Sequence, residues 1–159
     1  MKELLELLEK DHRLTVEQLS VMLNKPAKEI AKMINQLEEQ NIIVKYQTII
    51  NWEKAGVDTV TAIIAVKTTP QREVGFDAIA ERIYRFPEVR SVYLMSGAYD
   101  LLVMLEGNTL KEVALFVSTK LSTIEGVVGT TTHFMLKKYK EAGVIISDRE
   151  KDHRLVVSP

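Results

Sequence analysis

The sequence VRSVYLMSGAYDLLVMLEGNTLKEVALFVSTKLSTIEGVVGTTTHFML, residues 89–136, contains the pattern that decides the fold. Two apolar runs, 89–95 and 99–105, flank a Ser-Gly turn and therefore predict a β-hairpin. A helix is predicted next, because apolar side chains recur there at helical spacing. They are Leu110, Val113, Ala114, Val117 and Leu121. A further strand is predicted over 127–137, where threonine and valine are frequent.

The residues before this stretch complete a regular order of strands and helices. A β-branched run over 59–68 predicts a strand whose alternate residues share one face. These residues are Val60, Ala62, Ile64 and Val66. A helix is predicted through Val74, Ile79, Ala80 and Ile83, ending near Phe86 and Pro87. The order βαββαβ predicts a ferredoxin-like domain over 59–139, with a four-stranded antiparallel sheet and both helices on one face.

The other face of this sheet is also apolar at several positions. Ile63 and Ala65 in the first strand, and Leu102 and Met104 in the third, point away from the helices. Two helices can cover only one face, so the pattern predicts a symmetric dimer in which the second faces pack together. The alternative is that these side chains are tolerated on a hydrated face.

The first part of the chain, 1–51, has a helical pattern. Thr15 and Gln18 form a capping-box pattern before a second short helix, and Pro26 suits the first turn of a third. The inward positions are predicted to be Val16, Leu19, Met22 and Leu23 in the second helix, and Ile30, Met33, Ile34 and Leu37 in the third. The β-prone runs 42–44 and 47–50 predict a small hairpin, which completes a winged helix-turn-helix layout.

The predicted fold class is therefore α+β, with an N-terminal winged helix-turn-helix domain over 1–51 and the ferredoxin-like domain over 59–139. Residues 52–58 are expected to be a linker. The tail, 140–159, is expected to add a hairpin between its apolar runs 144–146 and 155–157.

Composition excludes several classes of protein. The 159 residues are 46% hydrophobic, which is enough for a core, and there is no cysteine, so disulfide scaffolds, cysteine nucleophiles and thiolate zinc sites are excluded. Neither a signal peptide nor a membrane span is indicated, so we expect a cytoplasmic protein with no membrane partner. The formal net charge of −1 gives no general attraction to nucleic acid.

A local patch on the third helix nevertheless fits double-stranded DNA. Residues 1–51 contain seven basic and eight acidic side chains, which weakens non-specific attraction to phosphate. The basic residues of the third helix, however, lie opposite its apolar positions, as in a recognition helix. The alternative is an ordinary solvated helix face. The DNA-binding candidates are Lys25, Lys28, Lys32, Asn35, Gln36 and Lys45.

Several short segments together resemble the Lrp/AsnC family of prokaryotic transcription regulators. In the second part they are 96–101, 115–116, 124–127 and 130–132; in the first part they are 11–15, 37–38, 42–43 and single positions such as Tyr46 and Gly56. The family often carries arginines on the third helix, where this chain has Lys32 and Asn35. Lysine lacks the bidentate fork of arginine, so base readout is expected to be looser.

The resemblance implies a regulator whose second domain, the effector-binding RAM domain, forms dimers that assemble further into octamers. It also implies that an amino acid or similar small effector binds between dimers, near the Ser-Gly-Ala-Tyr-Asp turn, and alters assembly. The effector-site candidates are Met95, Ser96, Gly97, Ala98, Tyr99, Asp100, Thr131 and His133. Asp100 can receive an amino group or cap the local backbone. His133 can line the pocket or serve a structural role.

No catalytic residue, metal ligand or cofactor is predicted, because His12, His133 and His153 are far apart and none lies in a ligand motif. Two other functions remain open. One is a co-assembling regulator that binds DNA weakly, which the acidic balance of residues 1–51 favours. The other is an enzyme, since the layout also resembles Lrp-like tetrapyrrole decarboxylases, although the chain has no evident basic, histidine-rich cluster.

Overall fold

The computed structural model describes residues 1–69 and 75–146. The chain divides into two compact units, Met1–Ile50 and a second unit that begins at Asn51. Within the described residues, no helix combines the length and the apolar character needed to cross a membrane.

The first unit contains α1 (Lys2–Lys10), α2 (Val16–Leu23) and α3 (Ala27–Glu39). The predicted capping box is confirmed at the start of α2. The backbone N–H of Thr15 donates to Gln18 Oε1 at 2.9 Å, and the backbone N–H of Gln18 donates to Thr15 Oγ1 at 3.2 Å. Each bond satisfies an amide that would otherwise lack a partner at the helix start.

The core of the first unit is formed by one apolar side from each helix. Its buried residues are Leu4, Leu8, Leu19, Ile30 and Leu37. Met22, which the helical pattern placed inside, is instead exposed over 56% of its surface. Met22 lies roughly 60° from Leu19 around α2, so Leu19 faces the core while Met22 lies at the side of the helix, outside the core.

The hairpin predicted from 42–44 and 47–50 is not observed, because residues 44–50, all of them described, form no strand. Residues 44–50 are all exposed, Val44 over 82% of its surface, so this segment does not pack into the core as a hairpin would need to. An isolated two-stranded hairpin is marginal in water. The segment is attached instead through Tyr46, whose hydroxyl donates to Glu38 Oε1 of α3 at 2.9 Å.

The second unit confirms the predicted βαββαβ order. It contains β1 (Val60–Thr68), α4 (Asp77–Tyr84), β2 (Val89–Leu94), β3 (Leu101–Gly107), α5 (Leu110–Phe116), a π-helical turn (Val117–Leu121) and β4 (Val127–Phe134). The sheet order is β2-β3-β1-β4, and each neighbouring pair is antiparallel. This is the ferredoxin-like topology. Val74, assigned by the sequence to the first helix of this unit, lies outside the described residues.

The core of the second unit lies between the helices and one sheet face. The alternate β1 residues Ala62, Ile64 and Val66 are fully buried, as their spacing predicts. On α5 the buried residues are Val113 and Phe116, whereas Leu110 is 58% exposed. Regular helical spacing accounts for the difference, because Leu110 lies about 60° from Val113 and about 120° from Phe116 around α5 and so falls outside the buried side.

Gly126 is the most closely packed glycine of the chain. Its φ is +92°, and a Cβ built on it would lie 2.6 Å from Ile79 Cδ1. Its carbonyl also accepts the backbone N–H of Thr69 at 2.8 Å, which connects the start of β4 with the end of β1. Only glycine provides this approach without strain.

The other sheet face has no helix on it. Cross-strand pairing places Tyr93, Leu102, Ala65 and Thr131 in one row, and Ser91, Met104, Ile63 and His133 in the next. Their side chains are half-buried or exposed. Thus both faces of the sheet are partly apolar, as the sequence predicted.

After β4, a short hairpin pairs β5 (Lys140–Glu141) with β6 (Val144–Ile145). Ala142 and Gly143 form its turn with φ of 42° and 83°. The sequence paired 144–146 with 155–157, but the structure pairs Val144–Ile145 with the two residues before the turn. Residues 155–157 lie outside the described residues.

Candidate functional site

The first candidate site is the outer face of α3. Ile30 and Leu37 are fully buried on the inner face, while Lys28, Lys32 and Asn35 are exposed. At 3.6 residues per turn the three exposed residues fall within about 60° of one another. Neither lysine forms an ion pair with a described residue, so both ammonium groups are available to an anion. Gln36 is also exposed, at the edge of the same face.

The turn between α2 and α3 fixes the direction of this face. Asn24 adopts the left-handed conformation, with φ of 49° and ψ of 49°, which asparagine tolerates better than most residues. Two bonds close the turn: the Lys25 backbone N–H donates to the Ser20 carbonyl at 3.1 Å, and the Ser20 hydroxyl donates to the Lys25 carbonyl. Pro26 then precedes α3. The result is a compact helix-turn-helix unit.

The two other basic candidates differ from Lys28 and Lys32. Lys25 precedes α3, is half-buried, and its ammonium group is bound to the carboxylate of Glu29. Lys45 is exposed in the strandless segment after α3. The structure therefore brings together Lys28, Lys32, Asn35 and Gln36 on one face, whereas Lys25 is already paired.

The second candidate site is the turn between β2 and β3. Ser96, Gly97 and Ala98 are exposed, and the Met95 backbone N–H donates to the Asp100 carbonyl at 2.8 Å, which closes the turn. Gly97 has a φ of +155°, and a Cβ there would have open space around it. Its requirement for glycine therefore comes from the backbone conformation and not from crowding.

Asp100 has a clear structural role. Its Oδ2 accepts the backbone N–H of Thr68 at 2.7 Å and the Thr68 hydroxyl at 3.3 Å. Thr68 is 8% exposed, so these bonds satisfy buried polar groups at the end of β1. The sequence left open a bond to an effector amino group or a cap on the local backbone, whereas the backbone N–H that Asp100 accepts belongs to Thr68 in β1, 32 positions away.

Thr131 and His133 do not belong to the turn. Both lie on the helix-free sheet face, where Thr131 pairs with Ala65 and His133 with Ile63. The backbone N–H of Asp100 donates to the carbonyl of Val66, which marks the position in β1 next to the turn. Ile63, the partner of His133, lies three residues from Val66 and therefore roughly 10 Å farther along β1. Within one chain, the predicted effector residues therefore form a turn and a separate pair on the sheet.

Sequence reasoning missed a cavity in the second unit of about 260 Å³. Its lining includes Glu88, Glu112, Phe116 and Lys120, and none of the predicted effector residues. The residues come from separate elements and have no motif spacing, so no sequence signal identified them. In the part of the chain that the structure describes, no group of three or more His, Asp and Glu side chains is placed to hold a metal ion.

Comparisons with known proteins agree with this architecture. The Lrp/AsnC ligand binding domain family matches residues 61–145. The chain is 51% identical over 158 residues to the HTH-type transcriptional regulator YugG of Bacillus subtilis, covering 99% of this chain and 95% of that protein.

Solved structures show the same fold. The crystal structure of PH0061 has a TM-score of 0.76 and 25% identity, covering 91% of this chain and 95% of that one. The transcriptional regulator NMB0573 of Neisseria meningitidis, solved as a complex with L-Met, has a TM-score of 0.70 and 24% identity, covering 87% and 88%. The chain therefore belongs to the Lrp/AsnC family of helix-turn-helix transcriptional regulators.

Proposed function

We propose that this regulator contacts DNA through the outer face of α3, and that a small effector bound near the turn of residues 95–100 controls its assembly. The single observation that supports the first part best is the division of α3 into a buried apolar face and an exposed face with Lys28, Lys32 and Asn35. A transcriptional regulator acts where the DNA is, so the proposed location is the cytoplasm.

Each side chain on the α3 face has a role that suits its chemistry. The two lysines are single-point cations suited to backbone phosphates, and they supply affinity rather than sequence reading. Asn35 and Gln36 carry amides that can pair with the edge of adenine in the major groove. A dimer would place two such helices on half-sites about 34 Å apart.

A gel-shift titration against the chain's own upstream region tests this assignment. The double variant Lys28→Ala, Lys32→Ala is expected to lose affinity by about tenfold or more at low salt, because two phosphate contacts are removed from each subunit of the dimer. Lys2→Ala, Lys10→Ala removes the same charge from α1 and is the matched control. Equal affinity for the wild type and the α3 variant would contradict the assignment.

For the effector site, the proposed ligand is an amino acid and the proposed site is the turn of residues 95–100. Support comes from the exposed Ser96, Gly97 and Ala98, and from the complex of the structural neighbour NMB0573 with L-Met. An exposed turn buries little of a ligand, so a second surface must complete the pocket. We propose that another subunit provides it, and that dimers assemble into octamers around such sites.

Calorimetric titration with L-methionine, followed by the other amino acids one at a time, tests this site. Gly97→Ala is expected to abolish binding, because alanine does not adopt a φ of +155° without strain. Gly143→Ala is the control, since Gly143 also has positive φ and open space but lies in the β5–β6 turn. Unchanged binding in Gly97→Ala would place the effector elsewhere.

The proposed dimer interface is the helix-free sheet face. Met104 and Ile63 are half-buried there although no helix covers them. Met104→Glu is expected to convert the dimer to a monomer in light scattering, because it places a charge in an apolar interface. Leu110→Glu, on the exposed start of α5, is the control. A dimer that persists in Met104→Glu would contradict the proposed face.

One alternative within the same class keeps some support. The first unit has seven basic against eight acidic side chains over 1–51, and Lys25 is paired with Glu29. A regulator that acts by co-assembly with a stronger DNA binder would show no shift alone at low salt. We propose that the protein is not an enzyme, because the family consists of transcriptional regulators. A tetrapyrrole decarboxylase would need a basic, histidine-rich site, whereas the ionisable side chains that line the cavity of the second unit are three glutamates and one lysine.

A further inference from the structure

Glu39 lies on the same side of α3 as the lysines of the proposed DNA-binding face. At 3.6 residues per turn it falls within the arc of about 60° that contains Lys28, Lys32 and Asn35. Its side chain is exposed, and it forms no ion pair or hydrogen bond with another described residue. A negative charge is therefore aligned with the cations that are expected to meet DNA.

The neighbouring Glu38 has a different position and a different role. It is turned by about 100° around α3 from Glu39, toward the side of the helix. There its Oε1 accepts a hydrogen bond from the hydroxyl of Tyr46 at 2.9 Å, which attaches the segment after α3. Glu39 has no comparable contact within the described residues, so attachment of the chain explains the first glutamate but not the second.

The end of α3 is an unfavourable place for a carboxylate. Glu39 is the last residue of the helix, and no basic side chain lies in the last turn. The C-terminus of a helix carries partial negative charge, so it repels an acidic side chain there. The same carboxylate weakens the general attraction of this face to phosphate. A residue that disfavours both helix stability and general DNA binding is expected where it serves selectivity.

The major groove of DNA offers a carboxylate one well-suited partner. The N4 amino group of cytosine donates a hydrogen bond there, whereas guanine presents only acceptors and adenine places an acceptor beside its amino group. Glu39 is one turn, about 6 Å, from Asn35 along α3. That distance corresponds to about two base-pair steps. Asn35, whose amide suits adenine, and Glu39 can therefore read nearby bases of one half-site.

We propose that Glu39 is a specificity-determining residue, whose carboxylate accepts a hydrogen bond from the amino group of a cytosine in each half-site of the operator. At another base the carboxylate faces DNA without a suitable donor, so binding there is weakened. The inference rests on the proposed contact of α3 with DNA. Lys28 and Lys32 supply affinity without reading sequence, and Glu39 restricts the sequences on which that affinity is used.

Selection of duplexes from a random-sequence library by the full chain, followed by sequencing, tests the proposal without knowledge of the operator. The wild type is expected to prefer cytosine by at least about fivefold at one position of each half-site. Glu39→Ala is expected to reduce that preference to within about twofold and to keep the preferences at the other positions. Glu9→Ala, which removes an exposed carboxylate from α1, is the matched control and should leave every preference unchanged.

Two further results separate this role from a structural one. The first unit of Glu39→Ala is expected to unfold at a temperature no lower than that of the wild type, because a carboxylate is removed from the negative end of α3. Glu39→Gln is expected to exchange the preference for cytosine for one for adenine, with which an amide pairs. A lower unfolding temperature in Glu39→Ala, or a cytosine preference that persists in either variant, would overturn the proposal.

The lysine variant distinguishes failure of this proposal from failure of the proposed function. Lys28→Ala, Lys32→Ala is expected to recover less DNA with unchanged base preferences, because phosphate contacts carry no sequence information. Reduced recovery by that variant, together with a persistent cytosine preference in Glu39→Ala, would overturn the role of Glu39 alone. No recovery of DNA by the wild type would overturn both.

Discussion

Replacing Gly126 by alanine is expected to destabilise the second unit by about 2–5 kcal/mol, a value that combines two separate costs. The backbone has a φ of +92°, and a non-glycine residue in such a conformation costs about 1–2 kcal/mol. The new Cβ would also lie 2.6 Å from Ile79 Cδ1, and overpacking of a core costs about 1–3 kcal/mol. Ile79 is only 4% exposed, so its side chain has little room to move aside.

Urea unfolding at one fixed protomer concentration measures the effect, because association changes apparent stability. Gly143→Ala is the control for the backbone cost alone, since Gly143 has a φ of +83° and no atom within 4 Å of a Cβ. Ile79→Val removes the Cδ1 methyl group that the new Cβ at position 126 would meet. Gly126→Ala and Ile79→Val are therefore expected to couple by about 1–2 kcal/mol in a double-mutant cycle. Equal losses in Gly126→Ala and Gly143→Ala, with no coupling to Ile79→Val, would refute the steric part of the argument.

Three other outcomes follow from bonds in the structure. Side-chain and backbone hydrogen bonds from Arg13 lower the pKa of Asp11 from 3.8 to about 2. NMR titration of Asp11 should therefore give a midpoint near the lower value, and Arg13→Ala should return that midpoint toward 4. Because the folded pKa is depressed, the stabilisation by Asp11 is complete above about pH 4 and is lost as the pH falls toward 2; an unchanged midpoint in Arg13→Ala would contradict this. Asp100→Ala leaves the buried Thr68 N–H without its acceptor and should cost about 1–3 kcal/mol in urea unfolding, whereas Asp100→Asn should cost less; equal costs would argue against the bond. Thr15→Ala removes the cap of α2 and should lower the free energy of unfolding of the first unit by about 1 kcal/mol, and no loss would mean that the capping box is not formed in solution.

Features encoded by short-range pattern were predictable from the sequence. Strict alternation in β1 gave the correct buried face, because side chains of a strand alternate in every environment. The Thr15 to Gln18 spacing gave the start of α2, since both bonds lie within a single turn. The order βαββαβ gave the sheet topology because few arrangements of these elements exist.

Features that depend on tertiary contacts were not predictable in this way. The π-helical turn after Phe116 places Leu121, five residues on, in the same core, and no local residue pattern signals it. A hairpin over 42–50 needs a partner surface that the exposed Val44 does not have. The cavity joins Glu88 to Lys120 across 32 positions, so only the folded chain brings the two together.

The candidate sites were predictable in part, for the same reason. The α3 face follows from helical periodicity alone, and the structure places Lys28, Lys32 and Asn35 together on it. Thr131 and His133 were predicted to line the effector pocket together with the turn, but strand pairing places both on the helix-free sheet face. Asp100 had two possible roles in sequence, and only the fold brings it within bonding distance of Thr68.

The salt dependence of DNA binding shows whether the α3 face contacts the phosphates of DNA. Fluorescence anisotropy of the wild type and of Lys28→Ala, Lys32→Ala on the same promoter fragment gives the slope of log K against log salt concentration. Each phosphate contact contributes about 0.9 to this slope, so a dimer that loses two lysines per subunit should have a slope smaller by about 3.6. We expect that reduction together with weaker binding. Parallel lines for the two proteins would show that α3 does not contact the phosphates.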